Sequence, residues 1–330
     1  MESETPMPED PHLSWTDEQW ATMQRIVQDS ARKARVASSF LPLIGPLSDG
    51  QASVPVLGMS EPQLDGRLRG EAPQRFDIDD GETRKLTTIA CKVYLRTQQA
   101  EDPDLASAKQ MLGRAADLIA RLEDAIVFRG QPGPDTRPTE DGSPGGDPVV
   151  TPEVYTVQGG GEYDGLLNAI TSRYVDRDTD GRVDGESLVR NIVDAIQAVE
   201  AKGHYGPFAC VLGNDLYLAA NTPSPDSLVL PSDRIVPFLD GGPLRRLSVM
   251  PNHQGVVVAL AGAPIDLVVA SDVHVKFLQL SVEPRYVLRV SERFVLRIKQ
   301  PFAVCRLETD LAPNVTQNKN DAPAKTRAKR

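Results

Sequence analysis

The chain has 330 residues, 40% of them hydrophobic and 25% charged, with a formal net charge of −10. That length suits one large domain or two ordinary ones, and the acidic excess argues against a nucleic-acid binder, which needs a basic face. No run of about 18 apolar residues is present, so no membrane span is expected. Three cysteines far apart in sequence, Cys91, Cys210 and Cys305, suit reduced thiols better than a disulfide framework.

Residues 1–13 are acidic and lack the apolar core of a secretory signal, so they read as a flexible arm. Thr16-Asp-Glu-Gln19 has the spacing of a capping box and predicts a helix running to about Val36. Trp20, Met23, Ile26, Val27, Ala31 and Ala34 share one of its faces. That face either docks on its own domain or forms a groove for a partner peptide. From Ser48 to about Asp80 the chain is turn-rich and too long for an ordinary connection, which predicts a projecting hairpin or arm that leans on another subunit; a disordered loop is the alternative. Arg84 to Arg96 is rich in β-formers and predicts a strand leading straight into a long helix.

That helix is the strongest pattern in the chain. Leu105, Ala108, Met111, Leu112, Ala115, Leu118, Ile119, Leu122 and Ile126 repeat at steps of three and four, with Asp102-Pro-Asp104 as the start signal and Gly130 as the stop. Gln131 to Gly161 reads as an inserted loop largely without regular structure. A helix is predicted over Glu186–Ala201, a strand over Phe208–Leu212, a short helix over Asp215–Ala220 and a turn or helix over Ile235–Leu239. Strands are predicted over Leu247–Met250, Val256–Leu260, Asp266–Ala270 and Ala303–Leu307. Tyr286 to Lys299 alternates an apolar face with a mostly basic one, as a long strand or bent hairpin beside the long helix. The polar tail, 309–330, ends in basic residues and is predicted to be disordered.

The search for chemistry is mostly negative. His12, His204, His253 and His274 form no metal-ligand spacing, and no nucleophile elbow, Walker loop or dinucleotide fingerprint occurs. The exception is Asp176-Arg-Asp-Thr-Asp-Gly-Arg-Val-Asp184. It places Asp176, Asp178, Asp180 and Asp184 at positions one, three, five and nine of a calcium-type loop, with Gly181 at six. The twelfth position is Ser187 rather than a bidentate glutamate, so the competing reading is an acidic turn that caps the helix beginning near Glu186.

Four segments in order carry a family likeness. Thr16-Asp-Glu-Gln-Trp20 followed by Leu41 to Leu47, Leu122-Glu-Asp-Ala-Ile-Val-Phe-Arg-Gly130, Gly203-His-Tyr-Gly-Pro-Phe-Ala-Cys-Val-Leu212, and Arg293 to Leu307 together resemble encapsulins, over about 12–47, 84–130 and 162–308. The resemblance implies an α+β chain with the HK97 phage-capsid-like fold: a peripheral domain built on a spine helix, an axial domain and an extended loop reaching a neighbour. Segments divide accordingly into an N-terminal arm and helix (1–47), the extended loop (48–95), the peripheral domain with its insert (96–164), the axial domain (165–272), the return strands (273–308) and the tail (309–330).

What the likeness implies about function is a hollow icosahedral homo-oligomer in the cytoplasm. It would enclose a cargo enzyme, a ferritin-like iron oxidase or a peroxidase, which ties it to iron storage and oxidative stress. The cargo carries a C-terminal targeting peptide that docks near the N-terminal helix, here at Trp20, Met23, Ile26, Val27 and Ala31. The loop at about Thr222–Asp233 maps to a five-fold pore, with Ser224, Asp226, Ser227, Ser232 and Asp233 as candidate lining. Some relatives bind flavin through a tryptophan outside the N-terminal helix. Both tryptophans here lie in that region, so no cofactor is carried over beyond the calcium-type loop. A phage or prophage capsid packaging DNA is the alternative function, and an enzyme or secreted antibacterial protein a third.

Overall fold

The computed structural model describes residues 13–48, 50–60, 77–131, 155–176, 182–223, 229–281 and 283–309. Helix α1 (Asp17–Ala34) leads through a 3₁₀ turn at Ala37–Ser39 to β1 (Leu43–Ile44). An arm follows, with β2 (Ser53–Pro55), β3 (Gly58–Ser60), β4 (Asp77–Asp79) and β5 (Thr83–Lys85). Next come β6 (Thr87–Arg96), the single turn α2 (Thr97–Ala100), and the long helix α3 (Ala106–Arg129). Short strands β7 (Gly130–Gln131), β8 (Tyr155–Gly159), β9 (Tyr163–Asp164) and β10 (Thr171–Val175) precede α4 (Gly185–Glu200). The remainder is β11 (Phe208–Leu212), α5 (Asn214–Ala220), α6 (Pro231–Ile235), β12 (Leu244–Arg246), β13 (Gln254–Ala259), β14 (Ile265–Leu280), β15 (Arg285–Ile298) and β16 (Val304–Thr309).

Two five-stranded sheets organise these elements, in the orders β1-β14-β15-β6-β8 and β10-β16-β13-β11-β12. In the first, β15 lies antiparallel between β14 and β6 over nearly its whole length. Its alternation separates two faces. Leu288, Val290 and Phe294 are buried in the same core as Leu112, Ile119 and Phe128 of α3, while Arg289 and Arg293 lie in the opposite phase. The spine helix thus buries its stripe under β6 and β15, and α1 covers its next face through Met23, Val27 and Ala31. Each fully buried aliphatic side chain contributes about 1.5–3 kcal/mol, which explains why a helix of about 36 Å stays ordered.

The second sheet is sandwiched. On β13, Val257 and Ala259 face a core made with α4 and α5, while Val256 and Val258 face the spine core. One strand therefore belongs to both cores, and the two halves are joined by side chains rather than by a linker.

Local signals explain most boundaries. Thr16 caps α1 as expected: its hydroxyl accepts from Gln19 N at 3.2 Å, and the Gln19 side chain accepts from Thr16 N at 2.9 Å. Gly130 ends α3 at φ 88°, and a Cβ there would lie 2.3 Å from the Tyr163 carbonyl. The start of α3 differs from expectation. Pro103 lies ahead of the helix, Leu105 adopts a left-handed φ of 49°, and the Asp102 carboxylate accepts from Ala106 N at 3.1 Å. Burial of Leu105 offsets that strain.

Other expectations are corrected. A separate helical turn, α2, stands between β6 and the long helix. The extended loop ends at β5, because β6 is a full member of the first sheet. Residues 247–250 are not a strand; β12 sits just before them, at 244–246, and pairs in parallel with β11. The expected strand at 266–270 continues without a break to Leu280. The insert contains β8, paired antiparallel with β6, although its run is short and lacks large aliphatics. The tail after 309, the N-terminal residues before 13 and most of the insert lie outside the described residues.

The arm itself is built as a two-stranded ribbon, β2 pairing β5 and β3 pairing β4 antiparallel. Its root is clasped to the first sheet. Arg297 holds Asp266 through two bonds of 2.7 and 2.8 Å and donates to the Pro55 carbonyl at 3.0 Å. Lys299 Nζ lies 3.1 Å from the same aspartate.

Candidate functional site

Helix α1 is amphipathic for a structural reason. Met23, Val27 and Ala31 have no exposure and sit in the spine core. Their placement on a cargo-docking surface, expected from the sequence, does not survive: the face that periodicity marks is occupied by the protein's own α3. Trp20 and Ile26 are half-buried at its rim, and Ala21, Arg25, Asp29, Arg32 and Lys33 form its exposed side. Any surface that α1 offers is therefore a half-apolar edge beside a mixed-charge face.

Three polar anchors fix α1. At its start, Trp15 Nε1 donates to the Ala100 carbonyl at 2.8 Å, and the Trp15 and Trp20 rings stack 4.9 Å apart, tilted by 60°. In the middle, the Gln24 amide reaches the edge of β14. It donates to Val273 O at 3.0 Å and accepts from Val275 N at 3.1 Å.

The third anchor is at its end. The Arg35 guanidinium, 10% exposed, meets Glu123 on α3 at 2.5 Å, Glu292 on β15 at 2.5 Å and Asp272 on β14 at 3.0 Å. Glu123 and Glu292 are both fully buried. Asp124 accepts from Val36 N and Ala37 N, at 3.0 and 2.8 Å.

Electrostatics follow from that crowding. Burial pushes the Glu123 carboxyl well above its usual range, and the adjacent Glu292 adds to the effect. Burial likewise raises Glu292 to about 7, although the Arg35 charge opposes it. Burial raises Asp124 to about 6 against the pull of its two backbone donors. Burial alone would lower Arg35, but the surrounding carboxylates outweigh it and hold the guanidinium above its ordinary value.

Sequence reasoning missed this cluster. The available signal was Glu292, which occupies the apolar phase of an otherwise alternating strand.

The pore candidates divide. Ser232 is buried, so it faces its own domain rather than a pore, a correction to the expected lining. Asp233 is exposed on α6, a short helix held to α4 by the Arg234–Glu186 ion pair. Ser224, Asp226 and Ser227 lie outside the described residues.

The acidic segment behaves at both ends as a helix cap. Asp184 accepts from Ser187 N at 2.8 Å and Glu186 N at 3.4 Å, and the Ser187 hydroxyl donates to Asp176 at 3.2 Å. Asp178 and Asp180 lie outside the described residues. Among the described residues, no group of three or more His, Cys, Asp or Glu is placed to hold a metal. Among them too, no helix is long and apolar enough to cross a membrane.

Comparison with known proteins places these features. Residues 154–295 match the family model described as encapsulating protein for peroxidase. A type 1 encapsulin shell protein of Myxococcus xanthus is 27% identical over 301 residues, covering 88% of this chain and 93% of the relative. A diheme-cytochrome–encapsulin shell fusion protein of Kuenenia stuttgartiensis is 26% identical over 299 residues, covering 88% and 73%.

Among solved structures, a virus-like particle from Pyrococcus furiosus aligns with TM-score 0.60 and 17% identity, over 88% of this chain and all of that one. The capsid of Myoviridae phage XM1 aligns with TM-score 0.54 and 14% identity, over 81% and 89%. At such identities these structures speak for the fold, the HK97 capsid type, in which two α+β halves share a spine helix and carry an extended arm. The curated shell-protein relatives are matched over 88% of this chain, so along nearly all of its length the chain is similar to encapsulin shell proteins.

Proposed function

We propose that this chain is the subunit of an encapsulin nanocompartment, a hollow icosahedral shell of many copies enclosing a cargo enzyme. The observation that carries the reading is the near end-to-end match to an encapsulin shell protein on a capsid-type fold. The role is that of a container. The described residues put their buried charges into joints between elements rather than around a reaction cavity.

The family description points to a peroxidase as one cargo class, and a ferritin-like iron oxidase is the other. Loading through a C-terminal peptide on the cargo, at the α1 rim around Trp20 and Ile26, is part of the proposal. So is residence in the cytoplasm. A loop beside Asp233 is proposed to line a pore, where a carboxylate repeated about a symmetry axis biases ion entry.

Phage capsids share the fold, so DNA packaging is the second reading. The chain's net charge of −10 disfavours a DNA-filled interior. Electron microscopy of purified particles, with their absorbance ratio at 260 and 280 nm, tests both. Hollow particles of protein-like absorbance are expected; particles dominated by nucleic-acid absorbance would overturn the reading in favour of a capsid. For cargo, Trp20→Ala with Ile26→Ser should reduce co-purified cargo while shells still form. Unchanged loading would remove α1 from the docking site.

A further inference from the structure

The junction at the end of α1 is built with too much acid for its one base. If all were ionised, Glu123, Glu292 and Asp272 would set three negative charges on one guanidinium, and two of those carboxylates have no exposure to water. A structural ion pair does not need that excess. The hydrogen bonding is equally unbalanced. With both groups ionised, the two oxygens of Glu123 and Oε2 of Glu292 have no donor, and Arg35 Nε, though close to Glu123, is not aligned to donate to it. A proton held by Glu123 and donated to Glu292 removes one charge and supplies the missing donor together.

The cluster also sits at a mechanical joint. Arg35 is the C-cap of α1, Glu123 and Asp124 are on the spine helix, Asp272 is on β14 and Glu292 on β15. Asp124 additionally holds the 3₁₀ turn that follows α1. Four elements therefore meet at one guanidinium.

We propose that this junction is a proton-operated latch. With one proton shared between Glu123 and Glu292, the C-terminal end of α1 is locked onto spine and sheet; when that proton leaves to a base in solvent, like-charge repulsion in a dry site loosens the helix end. The inference goes beyond shell formation and does not depend on it, because every group belongs to one chain.

The surroundings leave few competing charges. From α1 the group facing the cluster is Arg35, since the Arg32 guanidinium is exposed and near Asp29. From α3 there are Glu123 and Asp124. From β14 there is Asp272, with His274 two residues on, its ring nitrogens directed to Ser271, Ser291 and the Asp272 carbonyl. From β15 there is Glu292, and opposite it β6 presents Ile89.

The sign follows from linkage. Glu292 at about 7 and Asp124 at about 6 lie above their ordinary values of 4.5 and 3.8. The folded state therefore binds more protons than the unfolded one across this window. The stability so gained is complete below the ordinary carboxylate range and is lost as pH rises through about 7.

The chain supplies its own reporter, because its two tryptophans, Trp15 and Trp20, flank the start of α1. Tryptophan emission and acrylamide quenching of the full-length protein are measured from pH 5 to 9, with light scattering following assembly. Quenching is expected to rise reversibly with pH around neutrality, before scattering changes. In Glu292→Gln, which removes the charge that helps raise Glu123, the transition should vanish or move down by roughly one pH unit or more. Glu123→Gln provides the same test should the first variant not assemble. Flat wild-type quenching across the range, a transition that appears only with loss of assembly, or a variant that keeps the wild-type midpoint would overturn the latch.

Discussion

Two buried ion clusters sit on one strand of this protein, five residues apart, and they are built on opposite plans. At the arm root a single carboxylate, Asp266, is shared by Arg297 and Lys299, and Arg297 makes a two-pronged contact with it. At the end of α1 a single guanidinium is shared by three carboxylates. The Arg297 charge in the base-rich cluster has no easy escape from a lost partner, because a guanidinium does not give up its proton in a protein. An acid-rich cluster escapes by taking up protons. The first plan therefore makes a fixed clasp and the second an adjustable one. The contrast matches their positions, one at the root of a projecting arm and the other at the end of a helix laid on the surface of the spine.

The comparison is sharpest in the largest expected effect. Asp266→Asn leaves the buried Arg297 and the partly exposed Lys299 with no counter-charge. It should cost about 3–5 kcal/mol, seen as the same drop in thermal unfolding midpoint at pH 6 and pH 8. A loss that varies with pH across that range would break the contrast.

Arg35→Met should be milder. It should cost about 2 kcal/mol at pH 8 and less at pH 5.5, where the orphaned carboxyls hold protons. Equal losses at both pH values would show that the acid-rich cluster has no protonation escape.

The smallest effect is a control at the far end of the same helix. Thr16→Ala removes the capping hydroxyl and should cost about 1 kcal/mol, with faster amide exchange confined to residues 17–20 and no dependence on the Arg35 junction. Exchange that speeds up as far as Arg35 would show that the cap holds the whole helix rather than its first turn.

Much of the architecture is legible in the sequence where the cause is local. The Thr16–Gln19 box, the stripe from Ala108 to Ile126, the stop at Gly130 and the alternation of Tyr286 to Ile298 all act within a few residues, and each is found where the pattern puts it, except that Met111 of the stripe is exposed and Leu105 precedes the helix. The failures share a different physics. β8 is a strand because β6 offers it an edge, not because its own residues demand one. Residues 247–250 read as a strand but form a turn, while the weaker run just before them pairs with β11.

The apolar face of α1 was legible as a face but not as to what covers it, because Met23 and Val27 find their neighbours on α3. The junction at Arg35 was harder still. Its contact to Glu292 joins residues 257 apart in sequence, and no periodicity reports a meeting of that kind. A glutamate in the apolar phase of a buried strand is the one local trace that such a meeting leaves.

The Gln24 side chain has a consequence of its own. Its amide offers one donor and one acceptor to Val273 O and Val275 N, the pattern that a neighbouring strand would present. Among the described residues β1 pairs with Leu267 and Val268 of that edge, so a helix side chain completes a stretch of sheet that no described strand reaches. Bare backbone along a long edge is an invitation to pair with another molecule. A single glutamine thus acts as a guard on β14, and lifting α1 would turn a closed margin into an adhesive one.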